Sequence, residues 1–182
     1  MQNRTGVDFS QHDLTITKTP TYTIYDLKKP DSDYFQRVTF INICGILVVK
    51  GDYGNWVFCR EFHPSIREKV SDHYWAEKLQ INSTQDPFEF DSNKTEQLLR
   101  KGIESDLEDY GYEGDTLKEI QKYYSRCLDY VHCSEWEYTT FAYNDAPSFL
   151  DAENVPFVKS INFQLLVVFD AFDEMCERSK EE

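Results

Sequence analysis

Tyr34-Phe-Gln-Arg-Val-Thr-Phe-Ile-Asn-Ile-Cys-Gly-Ile-Leu-Val-Val-Lys-Gly-Asp-Tyr-Gly-Asn-Trp-Val-Phe-Cys-Arg60 is the densest run of β-branched and aromatic residues in the chain, broken only by glycines at 45, 51 and 54. That composition reads as strands joined by tight turns. Between Gln36 and Ile43, Val38 and Phe40 fall on one side, with Arg37, Thr39 and Ile41 on the other. Ile46 to Lys50 and Asn55 to Arg60 flank Gly51-Asp-Tyr-Gly54, a four-residue connection suited to an antiparallel hairpin. Trp56 and Phe58 then share one face, Val57 and Cys59 the other. Upstream, Leu14 to Tyr25 alternates threonine with other residues as a half-exposed strand does. Pro20 lacks a ladder N–H, so this strand lies at an edge or begins after the proline. Residues 1–13 are polar and without periodicity, and are expected to form a flexible N-terminal tail.

Beyond Arg60 the pattern turns helical. Ser71 to Gln80 reads as a short helix with a serine cap, and Asn82 to Asp91 as an ordered connection pinned by Phe88 and Phe90. A helix is expected from Asn93, with Glu96 as capping-box partner, to about Tyr110; Leu99, Ile103, Leu107 and Tyr110 form its stripe. Gly102 weakens it by about 1 kcal/mol relative to alanine and marks a bend or a close approach. Asp115 to Val131 is the clearest amphipathic helix, with Leu117, Ile120, Tyr124, Cys127, Leu128 and Val131 facing the core. The short Gly111–Gly114 connection makes the pair an αα-hairpin. Trp136 to Tyr143 alternates with period two and reads as a strand. The last helix, Ser160 to Glu177, is apolar around so much of its circumference that it lies centrally or meets a second subunit, which leaves a homodimer open. The fold class expected is α+β: a small antiparallel sheet in the N-terminal half packed against the αα-hairpin and the C-terminal helix, as a single domain over 14–182.

Charge narrows the partners. The net charge is -14, and it is uneven: residues 1–60 hold 7 basic and 6 acidic side chains, residues 61–182 hold 12 and 27. Such a field repels a phosphate backbone, so no direct binding to naked nucleic acid is expected; it favours a basic protein surface, including one that normally holds nucleic acid. Solubility alone is an equally simple reason for the charge. Hydrophobic residues at 40% and aromatics at 15% supply a real core. The five cysteines lack regular spacing, and no leader or apolar run of about 20 residues is present. A reduced cytoplasmic protein without membrane association follows as the expectation.

Two chemistries compete. Cys59, His63, Cys127, His132 and Cys133 could be drawn into a metal site, but a close Cys-x2-Cys pair is missing and Cys127 lies on the apolar stripe, so neither metal nor cofactor is expected. Cys59 with His63 or His73 and Asp72 has the composition of a cysteine hydrolase. A metal-assisted or cysteine-dependent hydrolase in the Cys59–His73 region is therefore the alternative. The favoured reading is non-enzymatic recognition. Glu104, Glu108, Asp109, Tyr112, Glu113, Asp115 and Glu119 cluster around the helix connection, opposed only by Lys118, and are the candidate partner-binding residues. Carboxylates interleaved with tyrosine meet arginine by ion pairing, cation–π contact and burial together. Tyr123 and Tyr130 flank the core stripe, and packing accounts for them equally well.

Gly51-Asp-Tyr-Gly-Asn-Trp-Val-Phe-Cys-Arg-Glu-Phe-His-Pro-Ser65, Ser71-Asp-His-Tyr-Trp-Ala-Glu-Lys-Leu79 and Ser83-Thr-Gln-Asp-Pro-Phe88 resemble uncharacterised proteins of phages and mobile elements in Gram-positive bacteria, over about residues 14–91. The resemblance transfers no catalytic residue. Size, acidity and that origin together resemble anti-CRISPR proteins, which implies inhibition of a type II CRISPR effector nuclease, with guide RNA, in the host cytoplasm.

Overall fold

Period-two alternation in residues 38–58 builds the sheet. In the computed structural model, which describes residues 3–31, 35–60, 70–82, 86–106, 112–151 and 154–179, Val38, Phe40, Leu47, Val49, Trp56 and Phe58 are all at most 2% exposed. The strands β1 (Asp13–Lys18), β2 (Thr23–Lys28), β3 (Val38–Ile43), β4 (Ile46–Gly51), β5 (Gly54–Phe58) and β6 (Leu79–Asn82) pair in chain order, each antiparallel to the next. Leu14 to Tyr25, read as one strand, is instead the hairpin β1–β2. The chain turns at Thr19–Tyr22, where Thr19 N donates to Tyr22 O at 2.9 Å, and Pro20 sits in the turn, where its missing N–H costs no ladder bond. Cys44 and Gly45, with φ of 35° and 85°, join β3 to β4 in the left-handed conformations that match strand twist. The next turn is tighter than expected, because Gly51 pairs directly with Gly54. A Cβ on Gly51 would lie 2.1 Å from the Arg37 carbonyl oxygen, which reserves the position for glycine.

One face of this sheet is closed by two helices. The side chain of Ser71 caps α1 (Asp72–Glu77), which sets Trp75 edge-on to Phe58 with ring centroids 5.6 Å apart. In α5 (Phe163–Arg178), capped by Asn162, Phe172 meets Phe40 at 5.2 Å and Trp75 at 5.1 Å, and Phe169 meets Phe58 at 6.4 Å. The opposite face of α5 carries Asp170, Glu174 and Arg178 at four-residue steps. Asp170 accepts from the backbone N–H groups of Arg4 and Thr5. Arg178 donates to the carbonyls of Phe9, Ser10 and His12. Phe9 is buried in the core and Val7 packs against it. In its described part, then, the expected flexible tail is an arm fixed to the far side of α5, and the helix's second face is covered by its own chain.

Where the sequence predicts one domain, contacts divide the chain into two compact units: residues 1–88 with 161–182, and residues 89–160. The chain passes between them at β7 (Phe88–Phe90) and β8 (Lys159–Ile161), which form a two-stranded sheet. Inside the second unit, Asp91 caps α2 (Ser92–Lys101) by accepting from Lys94 N at 2.9 Å. The α-helix ends earlier than expected, at Lys101, and positions 107–110 of the expected helix lie outside the described residues. At Gly102 it widens into a π-helical segment, Gly102–Asp106, and the Ile103 carbonyl accepts from Gln121 Nε2 at 3.0 Å. Next come α3 (Gly114–Leu128) and α4 (Glu135–Asn144). Leu99, Ile120, Tyr124, Cys127, Val131, Tyr138 and Ala142 form the buried centre. Tyrosine hydroxyls within it donate to carbonyls: Tyr123 to Ala142, Tyr124 to Asn154 at 2.7 Å, Tyr138 to Pro156. Burial accordingly raises the pKa of Tyr123 and of Tyr138. No helix among the described residues is long and apolar enough to cross a membrane.

Candidate interaction surface

The second unit, residues 89–160, holds 16 acidic against 7 basic side chains. Where those cations are spent decides what remains. Lys94 pairs with Asp91, Arg100 with Glu96, Lys118 with Asp115, Arg126 with Asp145 and Lys159 with Glu135. Of the candidate residues, Glu104 is exposed on the π-helical segment, and Glu113 and Glu119 are exposed at the start of α3; among the described residues none of these three makes an ion pair. Glu113 occupies the N-cap position of α3 without a side-chain cap bond, although a carboxylate there is favoured by the helix dipole. Asp115 is 99% exposed and its 3.1 Å contact with Lys118 is between two solvated side chains, an arrangement that neutralises little in water. Tyr112 is half-buried and packs against the unit's core, so most of its ring is structural. Glu108 and Asp109 lie outside the described residues.

The surface that the sequence reading missed is on α4. Trp136 to Tyr143, expected as a strand, is helical because Ser134 and Glu137 form a reciprocal capping box. Glu137 Oε2 accepts from Ser134 N at 3.0 Å and from Ser134 Oγ at 2.6 Å, and Ser134 Oγ accepts from Glu137 N at 3.2 Å. Those bonds from Ser134 hold the Glu137 carboxyl below its ordinary pKa. With a period of 3.6, Tyr138 and Ala142 turn inward while Trp136, Thr140 and Tyr143 turn out. Trp136 is 72% exposed. Ser134-x-x-Glu137 was the signal available in the sequence. Beside this face, Tyr130 stacks on Phe141 at 4.2 Å and 12°. Arg126 lies 5.0 Å from the Phe141 ring centre and bonds Asp145 Oδ2 at 2.6 Å. Tyr130, Trp136, Glu137, Phe141, Asn144 and Asp145 line an open groove of about 340 Å³.

Of the residues of the hydrolase alternative, Asp72 is committed to Arg4, while Cys59 is exposed. Both oxygens of Asp72 accept from Arg4, at 2.5 and 3.0 Å, and His73 stacks with Phe88 at 6.3 Å; His63 lies outside the described residues. His132 Nε2 contacts Glu96 Oε2 at 2.8 Å, and Arg100 and His132 together hold the Glu96 carboxyl low. No group of three or more metal-ligating side chains occurs among the described residues. Cys127 is buried, and burial pushes its thiol up to about 11. Cys176 is buried as well, while Cys44, Cys59 and Cys133 are exposed. A thiol reagent at pH 8 should therefore label 44, 59 and 133 promptly and reach 127 and 176 only on unfolding, as peptide mapping would show. Fast labelling of Cys127 would contradict this packing.

Comparison with protein-family models, with curated proteins and with solved structures finds no match to this chain.

Proposed function

We propose that the protein is a stoichiometric inhibitor which binds a basic nucleic-acid-binding protein and blocks it without turnover. The observation that carries this reading is the set of exposed carboxylates Glu104, Glu113 and Glu119, which make no ion pair among the described residues, with Asp115 beside them, in a unit whose cations are mostly committed elsewhere. Arginines that normally neutralise phosphates are the natural counterparts of such groups, so the inhibitor would compete for the channel that nucleic acid occupies. The resemblance of residues 14–91 to mobile-element proteins makes a type II CRISPR effector nuclease, with or without guide RNA, the first partner to test.

The test compares purified effector, with and without guide RNA, against the protein and a variant carrying Glu104→Gln, Glu113→Gln, Asp115→Asn and Glu119→Gln. Each lost contact between opposite charges weakens binding and its sensitivity to salt. The variant should bind about tenfold or more weakly, equivalent to about 1.4 kcal/mol, and its affinity should fall less steeply between 50 and 300 mM salt, over which the Debye length shrinks about 2.4-fold. Equal affinity and an equal salt slope would reject these carboxylates as the interface.

A further inference from the structure

We propose that the groove between Tyr130, Trp136 and Phe141 is a binding site for the guanidinium group of an arginine side chain presented by a basic partner. This inference rests on the reading of the protein as a binder of such a partner, and it names the side chain recognised. Three observations converge on guanidinium. The walls are aromatic, with Trp136 presenting an exposed indole and the stacked Tyr130–Phe141 pair lining the same groove, and indole is the strongest of the side-chain cation–π acceptors. The rim carries two carboxylates, Glu137 and Asp145, against one cation, Arg126, which pairs with Asp145; among the described residues the side-chain bonds of Glu137 fall on Oε2 and that of Asp145 on Oδ2, so each keeps a second oxygen. The third is an internal precedent, since Arg126 already combines a 5.0 Å approach to Phe141 with a 2.6 Å bond to Asp145. An open volume of about 340 Å³ leaves space for a second guanidinium beside it.

Arginine fits better than lysine. Its planar fork stacks on indole while donating to carboxylates in the ring plane, whereas an ammonium is a strongly hydrated point charge that gains less from an aromatic wall. The groove lies past the C-terminal end of α3, whereas Glu113 and Asp115 sit at its N-terminal end, about 22 Å away at 1.5 Å per residue. The two features can therefore be altered one at a time.

The experiment uses the full chain with a nine-residue oligo-arginine peptide and an oligo-lysine peptide of equal length, both at 150 mM salt. Trp56 and Trp75 are buried at 2% exposure each, so acrylamide quenching of tryptophan emission reports on Trp136. The arginine peptide should shield Trp136 from quenching and bind at least fivefold more tightly than the lysine peptide. Read by titration calorimetry, which needs no tryptophan, Trp136→Ala should abolish that preference, and Trp136→Phe should restore part of it. Equal binding of the two peptides, undiminished quenching, or an unchanged preference in Trp136→Ala would overturn the proposal. So would sedimentation showing a dimer that Trp136→Ala dissociates, because the groove would then hold a second copy of the chain. The variant neutralised at 104, 113, 115 and 119 should keep the arginine preference. If it does and no effector nuclease binds, the functional reading fails while the groove stands; if effectors bind independently of Trp136, the groove fails alone.

Discussion

Replacing Arg4 with alanine should destabilise the protein by about 3 kcal/mol, a large share of the total stability of a domain. One guanidinium serves three carboxylates: Nε and Nη2 reach Asp72 at 2.5 and 3.0 Å, and Nη1 reaches Asp170 at 2.9 Å and Asp173 at 2.7 Å. Burial on its own would lower the pKa of Arg4, but bonds to Asp72, Asp173 and Asp170 outweigh it and the net shift is upward. Asp170 is 5% exposed. Without the guanidinium it would remain a buried carboxylate facing Asp173 and Asp72, and an uncompensated buried charge costs about 3–5 kcal/mol. The lower end applies because the N–H groups of residues 4 and 5 and the Thr5 hydroxyl still donate to it. Arg4→Lys should recover part of the loss, since it keeps the charge but not the fork. Urea denaturation of the three proteins gives the numbers; a loss under about 0.5 kcal/mol, the range of ordinary surface changes, would mean that the arm is not held to α5 by this cluster.

That cluster also marks a limit of sequence reading. Arg4 and Asp170 are 166 positions apart, and no local periodicity announces a contact made by charge at such a distance. Residues 1–13 therefore look like solvent-borne chain until α5 is in place to receive them. The sheet was legible because its information is local: alternation at Val38, Phe40, Trp56 and Phe58, with glycines where turns must close. Its hairpin boundaries were less so, since Pro20 is compatible both with an edge strand and with the turn it occupies. The division into two units left no trace because no Pro/Gly-rich linker marks the ends of residues 89–160, and their acidic excess, 16 against 7, reads as part of the charge spread over the whole C-terminal two thirds. Of the candidate site, the excess of carboxylates between positions 104 and 119 was readable from charge alone, whereas the Trp136 groove depends on helical phase and was hidden by a period-two pattern.

Tyr138→Ala and Trp136→Ala form the pair of substitutions that discriminates between those two phases. On a strand, positions 136 and 138 share a face and truncation of either ring would have a similar effect. On α4 they differ by about 200°, and the consequences separate. Tyr138 is 0% exposed, stacks with Phe90 at 5.1 Å and with Phe157 at 6.4 Å, and donates its hydroxyl to the Pro156 carbonyl. Its removal opens a cavity and strands an acceptor, at a cost of about 3–5 kcal/mol. Trp136→Ala, at a position 72% exposed, should change stability by no more than about 0.5 kcal/mol. Chemical denaturation monitored by far-ultraviolet circular dichroism measures both. Comparable losses would return residues 136–143 to a strand and dismantle the groove with it. A tenfold or larger gap in the folded-to-unfolded ratio, each factor of ten being about 1.4 kcal/mol, fixes the helical phase that turns Trp136 outward, and the large cost at Tyr138 then measures what holds the exposed indole in position.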